Sequence, residues 1–137
     1  MASRAARIAL ALLLVQGLFV GAWAAAWPRS FYDDFPGGGR AWVAADGPYN
    51  EHLVRDFGDL NLALAAVTLV ALLAFTRWVV LAAALAWIVY QTPHLIYHLR
   101  HLDLYDTSDK VGNVTALVLA LILPILVLFG ARRLRPG

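Results

Sequence analysis

The stretch VGNVTALVLALILPILVLFGA, residues 111–131, contains no Lys, Arg, Asp or Glu. A run of about 20 predominantly apolar residues is long enough to cross the hydrocarbon core of a bilayer as a helix. Three earlier stretches have the same character, although the second of them is short for a bilayer: residues 8–26, 60–75 and 78–99. The pattern therefore predicts a membrane protein with four spanning helices.

The composition supports this class of protein. The 137-residue chain is 61% hydrophobic and 15% charged, and it has no cysteine. Soluble globular domains are about 45–50% apolar, and a domain this small has too little interior to bury the excess. The absence of cysteine excludes a disulfide-bonded scaffold and a thiolate metal site. The net charge is only +2 and the basic residues lie in short clusters, so we expect no nucleic-acid partner.

We expect one integral membrane domain over residues 1–137 with an all-α fold, a polytopic four-transmembrane-helix bundle. The predicted spans cover about residues 8–27, 53–75, 78–99 and 109–131. Between the first two spans lies a long connection, about residues 28–52, which is rich in Gly, Pro and aromatic residues and has no helical period. We interpret it as an extracytoplasmic loop that caps the bundle. Asn50 is predicted to cap the second helix, and Thr107 or Ser108 the fourth.

The distribution of charge predicts the orientation. With both termini in the cytoplasm, the inner side holds six arginines, all close to a span end, and no acid; they are Arg4, Arg7, Arg77, Arg132, Arg133 and Arg135. All nine acids then lie outside. Basic residues beside the spans favour the cytoplasmic side. Abundant Ala and ten Arg to one Lys are typical of GC-rich bacterial genomes. We therefore expect a multi-pass protein of a bacterial cytoplasmic membrane, N-in and C-in, with the lipid bilayer as its first partner.

A cleaved signal peptide is the alternative interpretation of the first span. Arg4 and Arg7 would be its charged region, and residues 22–24 or 24–26 its cleavage site. Against this, the apolar stretch is longer than the usual signal core of about 7–15 residues. Gly17 and Gly21 also form a small-xxx-small pair, which lets a second helix approach closely. Retention of the span is therefore favoured.

Ionisable residues cluster at the predicted outer ends of the second and third spans. In EHLVRDFGD, residues 51–59, helical spacing pairs His52 with Asp56 and Arg55 with Asp59. In QTPHLIYHLRH, residues 91–101, Gln91, His94 and His98 share one helix face with His101 at its margin. We predict that two residues from each helix meet beneath the loop: His52, Asp56, His94 and His98.

Three functions fit such a cluster. The first is a metal site, because imidazoles four residues apart with a carboxylate from another helix suit a transition metal; a haem between His52 and His94 or His98 is a variant. The second is a membrane enzyme that uses His–Asp acid–base chemistry on a lipophilic substrate, or a quinone pocket. The third is purely structural: a polar network, with Arg55 and Asp59 as an ion pair, that locks the helix ends. A membrane-protein partner or a homo-oligomer is compatible with each.

The order of these parts resembles a known group of proteins. FYDDFP at residues 31–36 is followed by YNEHLVRD at residues 49–56, and then by Pro93-His94, His98 and His101. This arrangement is similar to small four-span bacterial membrane proteins, broadly those of the DoxX-like superfamily. The resemblance implies a four-helix membrane fold and a redox-linked membrane subunit, and it transfers no site residues.

Overall fold

Long helices dominate the computed structural model, which describes residues 2–132 and 134. The described residues form five α-helices and are 82% helical. In chain order the elements are α1 (Ala2–Ala26), α2 (Pro28–Asp34), β1 (Pro36–Gly37), β2 (Arg40–Ala41), α3 (Glu51–Ala74), α4 (Arg77–Arg100), a 3-10 turn (Leu102–Leu104) and α5 (Thr107–Ala131). The predicted all-α class is confirmed.

The four long helices are each long and apolar enough to cross a membrane. Helix α1 packs against α3 and α5, and α4 packs against α5 and α3. Buried side chains along the middle of this bundle include Leu10, Leu13, Val80, Trp87 and Val127. Large apolar side chains cover the outside as well, among them Val15, Leu73, Val89 and Val111. An apolar exterior over an apolar core is the pattern expected of helices that meet lipid.

Local signals set the ends of the helices. Asn50 caps α3 as predicted, because its side-chain oxygen accepts a hydrogen bond from the Leu53 N–H at 3.1 Å. The predicted cap of α5 was wrong. Asp106, in extended conformation one residue before the helix, caps it by accepting from the Asp109 N–H at 2.8 Å.

Glycines allow α1 and α3 to pack with their backbones in contact. A Cβ atom placed on Gly58 would lie 2.5 Å from the Ala25 nitrogen and 2.9 Å from the Gly21 carbonyl oxygen. A Cβ on Gly17 would lie 3.1 Å from the Cβ of Ala65. The predicted small-xxx-small pair in α1 thus lies directly against α3, and Gly58 completes the contact.

A larger side chain at Gly58 is expected to destabilise the bundle. Gly58→Val forces two backbones apart, and overpacking of this kind costs about 1–3 kcal/mol. The measurement is thermal unfolding of the detergent-purified protein by circular dichroism. Ala63→Val, on the exposed face of the same helix, is the matched control. Equal midpoints for the two variants would contradict the close contact.

The connection between α1 and α3 has more structure than its sequence suggested. The sequence predicts a loop without helical period here, whereas the structure contains α2 and the two-stranded β1–β2 hairpin. Pro28 occupies the first turn of α2, where its missing N–H is not needed. The turn of the hairpin is built from Gly37, Gly38 and Gly39, all with positive φ, which glycine adopts readily. We call residues 28–49 the cap.

Candidate functional site

A cavity of about 470 Å³ lies beneath the cap, inside one end of the bundle. All four long helices and the cap contribute to its wall. Leu53 lines the cavity and is also 66% exposed, so the cavity opens beside the first turn of α3.

The wall has an apolar and a polar side. From α1, the cap and α3 come mainly apolar and aromatic residues: Val20, Phe31, Phe35, Trp42, Val43, Leu53, Val54 and Phe57. From α4 and α5 come Tyr90, Gln91, His94, His98 and Asn113, with Ala116, Leu117 and Ala120 below them. The lining also includes Gln16 of α1, Asp46 of the cap and Asn61 of α3. Most of the polar side chains therefore come from α4 and α5, whereas α1, the cap and α3 contribute a mainly apolar surface that contains these three polar side chains.

The two predicted site residues of α3 lie outside this cavity. The His52 and Asp56 side chains are 86% and 57% exposed, and His52 Nδ1 lies 3.4 Å from Asp56 Oδ1 on the outer surface. The buried face of α3 carries Val54, Gly58 and Asn61. Residues two positions apart in a helix point about 200° apart. His52 and Asp56 are each two positions from Val54, so both lie on the face of α3 opposite to Val54. The predicted convergence of His52 and Asp56 with His94 and His98 is therefore wrong.

Arg55 does not form its predicted partnership either. Its Nε donates to Glu51 Oε1 at 2.9 Å, and its Nη1 donates to the Ala25 carbonyl oxygen at the end of α1. Within residues 2–132 and 134, no ion pair joins Arg55 to Asp59. Helical side chains lean toward the N-terminus, so Arg55 reaches Glu51 one turn back more easily than Asp59 one turn ahead.

The predicted site residues of α4 do reach the cavity. The centres of the His94 and His98 rings are 4.8 Å apart, and the Tyr90 ring stacks on the His94 ring with a centre-to-centre distance of 5.7 Å. The Phe57 ring of α3 is also next to His94, with the two ring centres 6.1 Å apart. His101 turns away and bonds through Nδ1 to the Tyr97 carbonyl oxygen at 2.7 Å. The sequence thus identified the correct face of α4.

These positions do not form the predicted metal or haem site. His94 and His98 lie together, but the ligands expected from α3 are on the outer surface. In the part of the chain that the structure describes, no three His, Cys, Asp or Glu side chains are grouped to hold a metal ion. A haem bound between His52 and a histidine of α4 is ruled out by the same outward direction of His52.

Two buried carboxamides are the residues that sequence reasoning undervalued. Gln91 and Asn113 line the cavity and are only 2% and 3% exposed. Their oxygens, Oε1 and Oδ1, have no hydrogen-bond partner among the described residues. Native proteins leave few buried polar atoms unpaired, and each such atom costs folding free energy. A polar residue in the otherwise apolar start of the fourth span was the signal for Asn113.

Asn61 forms a polar floor at the deep end of the cavity. Its Nδ2 donates to the Phe57 carbonyl oxygen at 2.9 Å and to the Tyr90 hydroxyl at 3.1 Å. One layer deeper, Trp87 Nε1 donates to Thr68 Oγ1 at 2.7 Å. The Asn61–Tyr90 and Thr68–Trp87 bonds join α3 to α4. These side chains therefore have hydrogen-bond partners within the protein and need no ligand.

At the end of the cavity away from Asn61, the cap is bonded to α4, to α5 and to the connection between them. Arg40 of the hairpin forms an ion pair with Asp109 in the first turn of α5. The Tyr97 hydroxyl donates to Asp46 Oδ1 at 3.0 Å, and the Tyr105 hydroxyl donates to the Trp42 carbonyl oxygen at 3.2 Å. Burial raises the pKa of Tyr105 to about 12, which further favours the protonated hydroxyl that donates this bond.

Comparisons of the chain with protein-family models, with curated proteins and with solved structures give no match. The resemblance to DoxX-like proteins therefore stays a prediction, and the function has to be argued from the cavity.

Proposed function

We propose that this protein is a multi-pass membrane protein that binds a lipophilic ligand in the cavity beneath its cap. The observation that carries the proposal is a mainly apolar cavity in which two buried carboxamides, Gln91 and Asn113, lack hydrogen-bond partners among the described residues. Apolar walls supply affinity for a lipophilic body, and a few polar groups orient it.

The size and position of the cavity support the same function. A volume of about 470 Å³ is within the range of about 300–1,000 Å³ that is usual for small-molecule sites. Most of the wall comes from helices that are apolar enough to lie in a bilayer. A cavity bounded by such helices suits a ligand that partitions into the membrane.

Acid–base chemistry on the bound ligand is a second candidate function. It is favoured by the His94 and His98 rings, 4.8 Å apart in the cavity wall, beside the Asp46–Tyr97 hydrogen bond of the cap. An uncharged imidazole beside a bound substrate can act as a general base, and a carboxylate close to the solvent can receive the proton in turn.

We further propose that the cap faces the extracytoplasmic side of a bacterial cytoplasmic membrane, with both termini inside. Support comes from charge at the two ends of the bundle. All nine acids lie in the cap or near the helix ends beside it. At the opposite end the Arg7 guanidinium lies 3.7 Å from the centre of the Phe75 ring. Phe75 is two positions before Arg77 in the chain. Such an acid-free, arginine-rich end matches the cytoplasmic side.

Single cysteines test this orientation, since the chain has none of its own. Ala45→Cys, in the cap, is expected to react with a membrane-impermeant maleimide on intact spheroplasts. Thr76→Cys, between α3 and α4, is expected to react only after the membrane is permeabilised. The reverse pattern would place the cap in the cytoplasm.

A side chain that fills the cavity tests ligand binding. The protein is reconstituted in phosphatidylcholine nanodiscs, and retention of tritiated 1-dodecanol is measured against empty nanodiscs. Ala120 is buried and lines the cavity, so Ala120→Phe is expected to reduce the retention above background by at least about tenfold, an effect of roughly 1.4 kcal/mol.

Val118→Phe is the matched control, because Val118 lies on the same helix and is exposed outside the cavity wall. It is expected to retain 1-dodecanol like the unmodified protein. Equal loss in the two variants, or no retention by the unmodified protein, would contradict a binding role for the cavity.

A further inference from the structure

We infer that the ligand of this cavity has an uncharged head group bearing hydroxyls, attached to an apolar body. The inference rests on the proposed function and adds the chemical class of the ligand. It follows from the side chains that line the cavity, and in particular from two buried carboxamides set in a mainly apolar wall.

The first argument is the hydrogen bonding of the two carboxamides. Gln91 and Asn113 are buried in the cavity wall, and Gln91 Oε1 and Asn113 Oδ1 find no partner within the described residues. A carboxamide carries an acceptor oxygen and a donor NH₂ group on one rotatable end. A hydroxyl both donates and accepts, so it can satisfy either group. An ester cannot donate to the two unpaired oxygens. An ammonium can donate to them, but it would bring a charge into a mainly apolar cavity, which is unfavourable.

The second argument is charge. Among the described residues that line the cavity there is no lysine or arginine. Arg40 of the cap is paired with Asp109 and does not line the cavity. An anionic head would be buried without a counter-charge, which is strongly unfavourable. The one carboxylate in the lining, Asp46, already accepts a hydrogen bond from Tyr97 at the cap. The site therefore favours an uncharged head over a carboxylate or a phosphate.

The third argument is the shape of the remaining wall. Phe31, Phe57 and Val20 supply apolar surface from α2, α3 and α1, and Leu117 supplies it from α5. None of these four side chains can form a strong hydrogen bond. Gln16 of α1 also lines the cavity, and Asn61 of α3 is already bonded to the Tyr90 hydroxyl. An amphiphile would place its hydroxyls against Gln91, His94 and Asn113 and its apolar body against the other wall. A single-chain lipid with a polyol head has this chemistry.

Four probes with the same twelve-carbon chain length test the inference. They are 1-monolaurin with two hydroxyls, methyl laurate with an ester but no hydroxyl, laurate as an anion and dodecylammonium as a cation. Each is tritiated, and its retention by the protein in phosphatidylcholine nanodiscs is corrected for empty nanodiscs. We expect 1-monolaurin to bind at least about tenfold more tightly than each of the others, which corresponds to one lost hydrogen bond or more.

Variants connect this preference to the carboxamides. Gln91→Leu/Asn113→Leu replaces both amides with apolar groups of similar size. It is expected to bring the affinities for 1-monolaurin and methyl laurate to within about twofold, because the two carboxamides with unpaired oxygens, which select a hydroxyl, are then absent. Retention of methyl laurate should persist, which shows that the variant is folded. Thr115→Leu, an exposed polar residue of the same helix outside the cavity lining, is the control and should keep the full preference.

The outcomes separate the two proposals. If none of the four probes is retained above empty nanodiscs, the proposed ligand-binding function fails. If methyl laurate, laurate or dodecylammonium binds as well as 1-monolaurin, the cavity binds lipophilic molecules but the inferred head group is wrong. An unchanged preference in the double leucine variant also overturns the role of Gln91 and Asn113. If that variant retains no probe, Gln91→Leu and Asn113→Leu are measured singly, and a preference unchanged in both overturns the inference.

Discussion

The backbone contact between α1 and α3 at Gly21 and Gly58 is the constraint on which the rest of the molecule depends. Because neither residue has a side chain, the two helices approach until their backbones touch. This contact fixes the rotation of α3 about its own axis. It directs Val54, Phe57 and Asn61 toward the cavity and the bundle and sends His52 and Asp56 to the surface. The chemistry of the site follows from that rotation.

With α3 turned in this way, the cavity takes its polar groups mainly from α4 and α5. Gln91, His94, His98 and Asn113 line it together with a mainly apolar surface from α1, α2 and α3, in which Gln16 and Asn61 are the polar side chains. The cap closes the end of the bundle and is held by the Arg40–Asp109 ion pair and the Tyr97–Asp46 hydrogen bond. Each of these contacts joins the cap to α4 or α5, so the two helices that carry Gln91, His94 and Asn113 also position the cap above those side chains.

The sequence was sufficient for the helices but not for their rotation. The four long helices could be predicted from the length of the apolar stretches. Charged residues are costly inside a membrane, so stretches without them are easily recognised in the sequence. The face shared by His94 and His98 was also predictable, since spacing within one helix fixes it. The direction of α3 was not, because it depends on which face packs against another helix. The charged residues at positions 51–59 led to the prediction that their face of α3 points inward. The face that packs inward is instead the one that carries Gly58. Helix α2 was missed because its seven residues are too few to show a period.

Nuclear magnetic resonance on the protein in nanodiscs tests the central claim most directly, because it reports where a lipophilic molecule lies. With 1-monolaurin carrying a ¹³C-labelled chain, nuclear Overhauser contacts are expected from the chain to the Phe57 ring and from the glycerol head to the Asn113 side-chain amide. Both residues line the cavity, and Asn113 is almost fully buried. Contacts confined to outward-facing residues such as Val15 and Val89, with none to Phe57 or Asn113, would contradict the account.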